Sequence, residues 1–198
     1  MRLVFHVLVS VSCLMYAEAV ALVLNEPNAD QPENPVKGVI SGENLLVLDW
    51  TDLLPIGEEE RLIAIYEEFY SGLGSEQASA LGSIMEGSPL DTMPQLGTFN
   101  TVEGLDGRRV EIPGFVVPLD FKGRAHASFL IVPYFGACIH SPPPAPNQII
   151  YVTANPAQEL GNIFYPLWFT GVMQANRQDT DLGNAAYTLE LESVRPYR

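Results

Sequence analysis

From residue 109 to the C-terminus the chain divides into five runs of strand length, each bounded by turn residues. No other feature constrains the fold as tightly. Residues 109–119 are extended, with Pro113-Gly114 interrupting them as a bulge or bend would. Residues 127–134 form a continuous apolar run, and residues 148–154 form another, headed by a proline turn. In residues 165–175, Leu167, Phe169, Gly171 and Met173 alternate with Trp168, Thr170, Val172 and Gln174. In residues 186–194, Tyr187, Leu189, Leu191 and Ser193 share one face, opposite Ala186, Thr188, Glu190 and Glu192. A polar loop, 176–184, joins these last two runs.

Five short strands must hide their edges, and closing the sheet on itself does so. The expected fold is mainly β with a helix (α+β): a five-stranded closed barrel resembling the oligonucleotide-binding fold, preceded by a strand and an amphipathic helix. The pairing of residues 169–172 with 186–189 looks like the last two strands of such a barrel. The likeness is one of shape and assigns no function.

Ahead of the barrel, residues 45–50 read as a strand. Residues 58–72 read as a helix, with Ile63, Tyr66, Phe69 and Tyr70 at helical spacing. Glu58, Glu59 and Glu60 suit its positive end, and Ser71-Gly72 ends it. Its expected role is to pack on the core. The glycine-rich stretch 71–98 is a long irregular connection, either a functional cover or a disordered segment. Residues 102–105 begin or flank a strand, and Asp106-Gly107 is a hairpin turn signal.

The N-terminus reads as a cleavable export signal. Met1-Arg2 gives a basic start, residues 3–15 are mostly apolar, and Ala17-Glu18-Ala19 supplies a small-x-small cleavage site. The apolar run is too short to span a bilayer, which takes about 20 residues. The domain plan is thus signal peptide 1–19, flexible tether 20–43 and a single globular domain 44–198, with helix and loop in 44–100 and the barrel in 101–198. The tether carries three prolines between 25 and 38. No later apolar stretch is long enough to cross a membrane. The net charge of −14 repels phosphate backbones and excludes nucleic acid as the expected partner.

Export leaves Cys138 without an intramolecular partner, because the chain's other cysteine, Cys13, departs with the leader. His140 stands two residues from it. On an extended segment both side chains point to one face, where thiolate and imidazole can reach a single ion. Zinc favours that mixture, and copper(I) accepts it. Further ligands have to come from elsewhere. His126 is the remaining imidazole, and Asp120 offers a carboxylate. Cys-x-His alone is a weak zinc signal, since the paired ligands of known motifs are mostly further apart. The competing chemistry is a thiol nucleophile activated by an imidazole, and the plain alternative is a buried, inert thiol. Pro142, Pro143 and Pro144, with Pro146, stiffen the turn after His140. Asn147 and Gln148 follow, placed to cap backbone groups or to line a pocket.

The strings 114–119, 132–140 and 142–148 resemble an exported bacterial family known as a domain of unknown function. The second and third run Val-Pro-Tyr-Phe-Gly-Ala-Cys-Ile-His and Pro-Pro-Pro-Ala-Pro-Asn-Gln. The likeness extends to Leu48-Asp49-Trp50-Thr51-Asp52-Leu53 and Gly183-Asn184-Ala185-Ala186-Tyr187, and so covers nearly all of the mature chain. What the resemblance implies is a periplasmic accessory protein of a Gram-negative bacterium, associated with ABC transporter systems, some of them linked to zinc. It supplies no catalytic residues.

Three readings follow. In the first, a non-enzymatic periplasmic protein serves a zinc ABC uptake system. It binds Zn2+, a transporter component or a periplasmic metal-binding protein through Cys138 and His140, with His126 as a third ligand. In the second, the chain is a structural or interaction module with a buried cysteine. In the third, it is a thiol enzyme of the cell envelope.

Overall fold

The computed structural model describes residues 38–41, 44–72, 94–119, 123–136 and 143–197. The expected signal peptide, most of the tether, the connection 73–93, Asp120, Cys138, His140 and Pro142 lie outside them.

The barrel strands are β3 (Arg109–Pro118), β4 (Ala125–Val132), β5 (Ile150–Glu159), β6 (Leu167–Gln174) and β7 (Tyr187–Pro196). β3 runs antiparallel to β4 (Phe115 opposite Val132) and to β6 (Val110 opposite Gly171). β4 is antiparallel to β5, β5 is parallel to β7, and β6 is antiparallel to β7. The order β3-β4-β5-β7-β6 therefore returns to β3 and closes a five-stranded barrel. This arrangement is consistent with the expected likeness to the oligonucleotide-binding fold.

β3 changes partners halfway along. It pairs with β6 from Arg109 to Gly114 and with β4 from Phe115 to Pro118. Pro113-Gly114 marks the corner, as the sequence predicts. A Cβ on Gly114 would lie 3.1 Å from Trp50 and 3.2 Å from the Val132 carbonyl oxygen, so a side chain here would make Trp50 or β4 give by a few tenths of an ångström. The edge that β4 leaves open along the first half of β3 is taken by β2 (Leu45–Val47), parallel to it. β1 (Val39–Ser41) then pairs antiparallel with β2.

Alternation along the strands fills the interior. Val110, Ile112, Phe129, Ile131, Ile150, Val152, Phe169, Met173, Tyr187 and Leu189 are all sealed from solvent in one cluster. Each such side chain contributes about 1.5–3 kcal/mol on burial. Leu48, Leu53, Val102 and Leu105 join the cluster from the segments ahead of the barrel. A second cluster gathers Leu130, Val132, Ile149 and Ala185, with Phe115, Val117 and Tyr151 packed against it.

Four expectations need correction. Residues 39–41, assigned to the tether, form a strand because the open edge of β2 offers a ladder to pair with. Residues 103–105 form a 3-10 turn, so Asp106-Gly107 turns the chain into β3 without joining two strands. On β7, a register shift against β6 at Thr170/Gly171 reverses the face, so Val194 packs on the core and Ser193 is exposed. The helix α1 (Glu58–Gly72) buries only Glu58 and Leu62, while Ile63 is 53% and Tyr70 48% exposed. It is held by its first turn, and most of its apolar stripe faces away from the core.

Candidate functional site at the proline turn

The proline string enters the fold as a buried wedge. Pro144, Ala145, Pro146 and Asn147 are buried, and Pro146–Gln148 form a 3-10 turn, with Pro146 where a missing N–H costs nothing. The Ala186 amide donates to the Pro146 carbonyl at 2.8 Å, fastening the turn to the start of β7. Gln95 clamps the other side. Its Nε2 donates to the Pro144 and Asn184 carbonyls at 2.9 Å each, and its Oε1 accepts the Asn184 amide at 2.9 Å.

Beneath the turn lies a buried polar network centred on Glu58. The Thr98 hydroxyl and Asn147 Nδ2 (3.2 Å) donate to Glu58 Oε1, and Asn100 Nδ2 donates to Oε2 at 2.9 Å. Arg61 Nε stands 3.5 Å from Oε2. Asn147 Nδ2 also donates to the Asn100 carbonyl at 3.2 Å, and Gln148 Nε2 to the Trp50 carbonyl at 2.9 Å. Asn147 thus serves both a side-chain carboxylate and a backbone carbonyl, and Gln148 a backbone carbonyl. A carboxylate this deep stays compatible with folding because polar donors converge on it.

Tyr187 lies in the same region. Its hydroxyl accepts the Val102 amide at 2.7 Å and donates to the Leu53 carbonyl at 2.8 Å. Burial, and secondarily the Glu58 charge, push the phenol well above its ordinary pKa, and the Val102 bond opposes them.

Before the wedge, the chain leaves β4 at Val132 and turns through Pro133–Gly136, where Gly136 adopts φ +80°. Tyr134 and Phe135 are exposed there. The Phe135 ring touches Phe115 (centroids 6.1 Å apart) and Phe164 (5.7 Å), and Phe164 and its neighbour Tyr165 are about two-thirds exposed at 65% and 67%. On α1, burial raises the Tyr66 phenol pKa, with the Tyr134 and Tyr70 phenols adding to it. An aromatic rim thus runs from Tyr66 by way of Tyr134 and Phe135 to Tyr165.

Of the residues singled out in the sequence, Pro143, Pro144, Asn147 and Gln148 come together at this turn. Cys138, His140 and Pro142 lie between its two described flanks. His126 is elsewhere: it is buried near the start of β4 opposite Gln158, while Val132 ends the strand. Six residues of strand separate the two, roughly 20 Å. Among the described residues no group of three or more His, Cys, Asp or Glu could hold a metal ion.

Sequence reasoning missed Glu58, Thr98, Asn100 and the exposed rings. Glu58 is one of three consecutive glutamates, and nothing in the string marks it as the buried one. Phe164-Tyr165 did carry a signal: two large rings in a turn between strands have no core to enter.

A model of the family described as "Protein of unknown function (DUF3299)" matches residues 50–196. The crystal structure of a DUF3299 family protein from Pseudomonas aeruginosa PAO1 is similar at 27% identity and a TM-score of 0.54. The match covers 77% of this chain and 95% of that one. No curated protein matches the chain.

Proposed function

The chain belongs to the DUF3299 family, and we propose that it is an exported, non-enzymatic accessory protein of a metal uptake system, with zinc as the metal. It engages the ion or a transporter component through the Cys138–His140 segment in the periplasm. The observation that carries this reading is the setting of the segment. One flank is a proline turn locked into the barrel, and the other carries exposed rings that no core requires. Aromatic side chains of this kind are enriched where proteins meet. Cys138 follows Gly136 by two residues, which keeps it within about 7 Å of that turn.

Cys138 and His140 supply two soft ligands of the four that zinc takes. The open positions suit an ion passed to or from a partner. His126, buried near the start of β4, is the candidate third ligand. The acidity of the chain raises the local concentration of cations without selecting among them. A second reading, contact with a protein partner without metal, is favoured by the rings alone, since Phe135 and Phe164 are exposed whatever the sulfur does.

Zinc titration of the full chain against a chelating dye tests the assignment. A Cys138→Ser, His140→Ala double variant should bind at least tenfold more weakly than the parent. Equal affinity in the two proteins would overturn the ligand set, and no zinc binding by the parent would leave the metal-free reading.

A further inference from the structure

The helix α1 presents an apolar stripe with an acidic edge. It carries five glutamates against one arginine, and that arginine, Arg61, stands beside the buried Glu58. At 100° per residue, Ile65, Phe69, Leu62, Tyr66, Tyr70 and Ile63 follow one another around an arc of about 160°. Glu67 and Glu60 come next on the circumference, about 40° and 60° past Ile63, and both are exposed. Glu59 lies within the arc at its N-terminal end.

Only the start of this stripe is spent on the fold. Leu62 packs beside Gly97, where a Cβ would come within 3.1 Å of the leucine. Beyond it, Ile63 is 53% and Tyr70 48% exposed, and Tyr66 stacks on Tyr70 with centroids 6.4 Å apart. Leu62, Ile63, Tyr66 and Tyr70, with Glu59 and Glu67, line a groove of about 500 Å³. Apolar positions at i, i+3 and i+7 are how one helix meets another, and tyrosine is a frequent anchor of such contacts. An exposed apolar patch rimmed by charge marks an interaction surface.

The charges say what kind of partner fits. A second copy of α1 laid antiparallel would set Glu60 and Glu67 against the same edge of its twin. Laid parallel, it would set Glu59 against Glu59 inside the contact. Like charges this close repel. The same carboxylates disfavour an anionic membrane surface. The complement is an apolar ridge edged by cations, because the α1 edge has no cation of its own to neutralise Glu60 and Glu67.

We propose that α1 is the docking face for an amphipathic helix of another protein, basic along one edge. That helix seats its apolar ridge on Ile63, Tyr66 and Tyr70 and its lysines or arginines on Glu60 and Glu67. The contact is separate from the Cys138–His140 segment and does not depend on metal.

Two synthetic amphipathic peptides test this on the full-length protein by fluorescence anisotropy. They share one leucine ridge and differ at its edge, lysine in one and glutamate in the other. The parent should bind the lysine-edged peptide at least tenfold more tightly than its twin. Glu60→Lys, Glu67→Lys should reverse that preference. Glu159→Lys, Glu190→Lys makes an equal change of charge at exposed positions of the barrel and should keep it. Ile63→Asp should weaken binding of the lysine-edged peptide at least tenfold. All these positions are exposed, and unchanged circular dichroism shows that the variants fold. A parent that binds neither peptide would overturn the proposal. So would an unreversed preference in Glu60→Lys, Glu67→Lys, which would mean general attraction to an acidic chain. A parent dimer that Ile63→Asp converts to monomer would overturn it too, because a second copy would then occupy the face.

Discussion

Asn147 Nδ2 donates to Glu58 Oε1 at 3.2 Å, joining residues 89 positions apart in a region closed to solvent. The bond links the proline turn to the first residue of α1, and Thr98 and Asn100 complete the ring of donors. Glu58 is thereby part of the same unit as the flank of the Cys138 segment, although it stands in a different element.

Glu58→Gln keeps the shape of that side chain and removes its charge. One carboxylate oxygen becomes an amide NH2 facing donors from Thr98, Asn100 and Asn147, so at least one of these groups loses its acceptor. A buried polar group left unsatisfied costs about 1–3 kcal/mol. Urea denaturation should show that loss for Glu58→Gln and a similar one for Asn147→Ala. A change under about 0.5 kcal/mol in both would mean that the network does not hold the turn.

Tyr187→Phe strips partners from the Val102 amide and the Leu53 carbonyl together. The expected cost is again about 1–3 kcal/mol, and it has a pH signature. Burial raises the folded phenol pKa above the unfolded value of about 10. The associated stability is fully present below that unfolded value and is lost as pH rises toward the folded one. The parent should lose stability above about pH 10 more steeply than Tyr187→Phe. Parallel alkaline limbs in the two proteins would count against the assignment.

On the acid side the pair is Glu111 and Arg195. The guanidinium makes two bonds of 2.9 Å to the carboxylate and lies over the Trp168 ring at 4.8 Å. The bond from Arg195 lowers the Glu111 pKa, opposed by partial burial and helped by the cation's charge and by Thr170. The stability is therefore present above the unfolded carboxyl value, about 4.3, and is lost as pH falls through the lower folded one. Arg195 is half exposed, which keeps the gain small, about 1 kcal/mol or less. Arg195→Ala should flatten the stability loss below about pH 4.5 and leave the neutral plateau within that amount.

What the sequence made legible is what has a period. Leu167, Phe169, Gly171 and Met173 were readable as one face because strands alternate, and the structure buries that face. The exchange of Ser193 for Val194 was not readable, because a register shift depends on the partner strand. The apolar stripe of α1 was recognised, but where it points was not: spacing defines a face, and only tertiary contacts say what meets it. At the candidate site, the proline turn followed from local chemistry, whereas Asn147 could be read only as capping backbone or lining a pocket, and its bond to Glu58 was not legible. Glu58 and Tyr187 belong to it through contacts 89 and 134 residues long, and no local pattern encodes such contacts.

Two glycines separate a steric requirement from a conformational one. Gly171 sits at the register shift between β6 and β7, and a Cβ there would lie 2.2 Å from the Glu190 carbonyl oxygen and 3.1 Å from Leu189 Cγ. The obstacle is backbone of the neighbouring strand, so no rotamer relieves it and β7 itself must move. Gly161, between β5 and β6, has φ +67° and open space around its Cβ position. Gly161→Ala should therefore cost only the left-handed penalty, about 1–2 kcal/mol. Gly171→Ala should cost about 3 kcal/mol or more, at the upper end of overpacking changes, because it pries apart the two strands that close the barrel. Urea midpoints of the two variants, with near-ultraviolet circular dichroism to report packing around Phe169 and Tyr187, provide the comparison. Equal costs, or an unchanged spectrum in Gly171→Ala, would show that the barrel closes more loosely at this seam than its geometry implies.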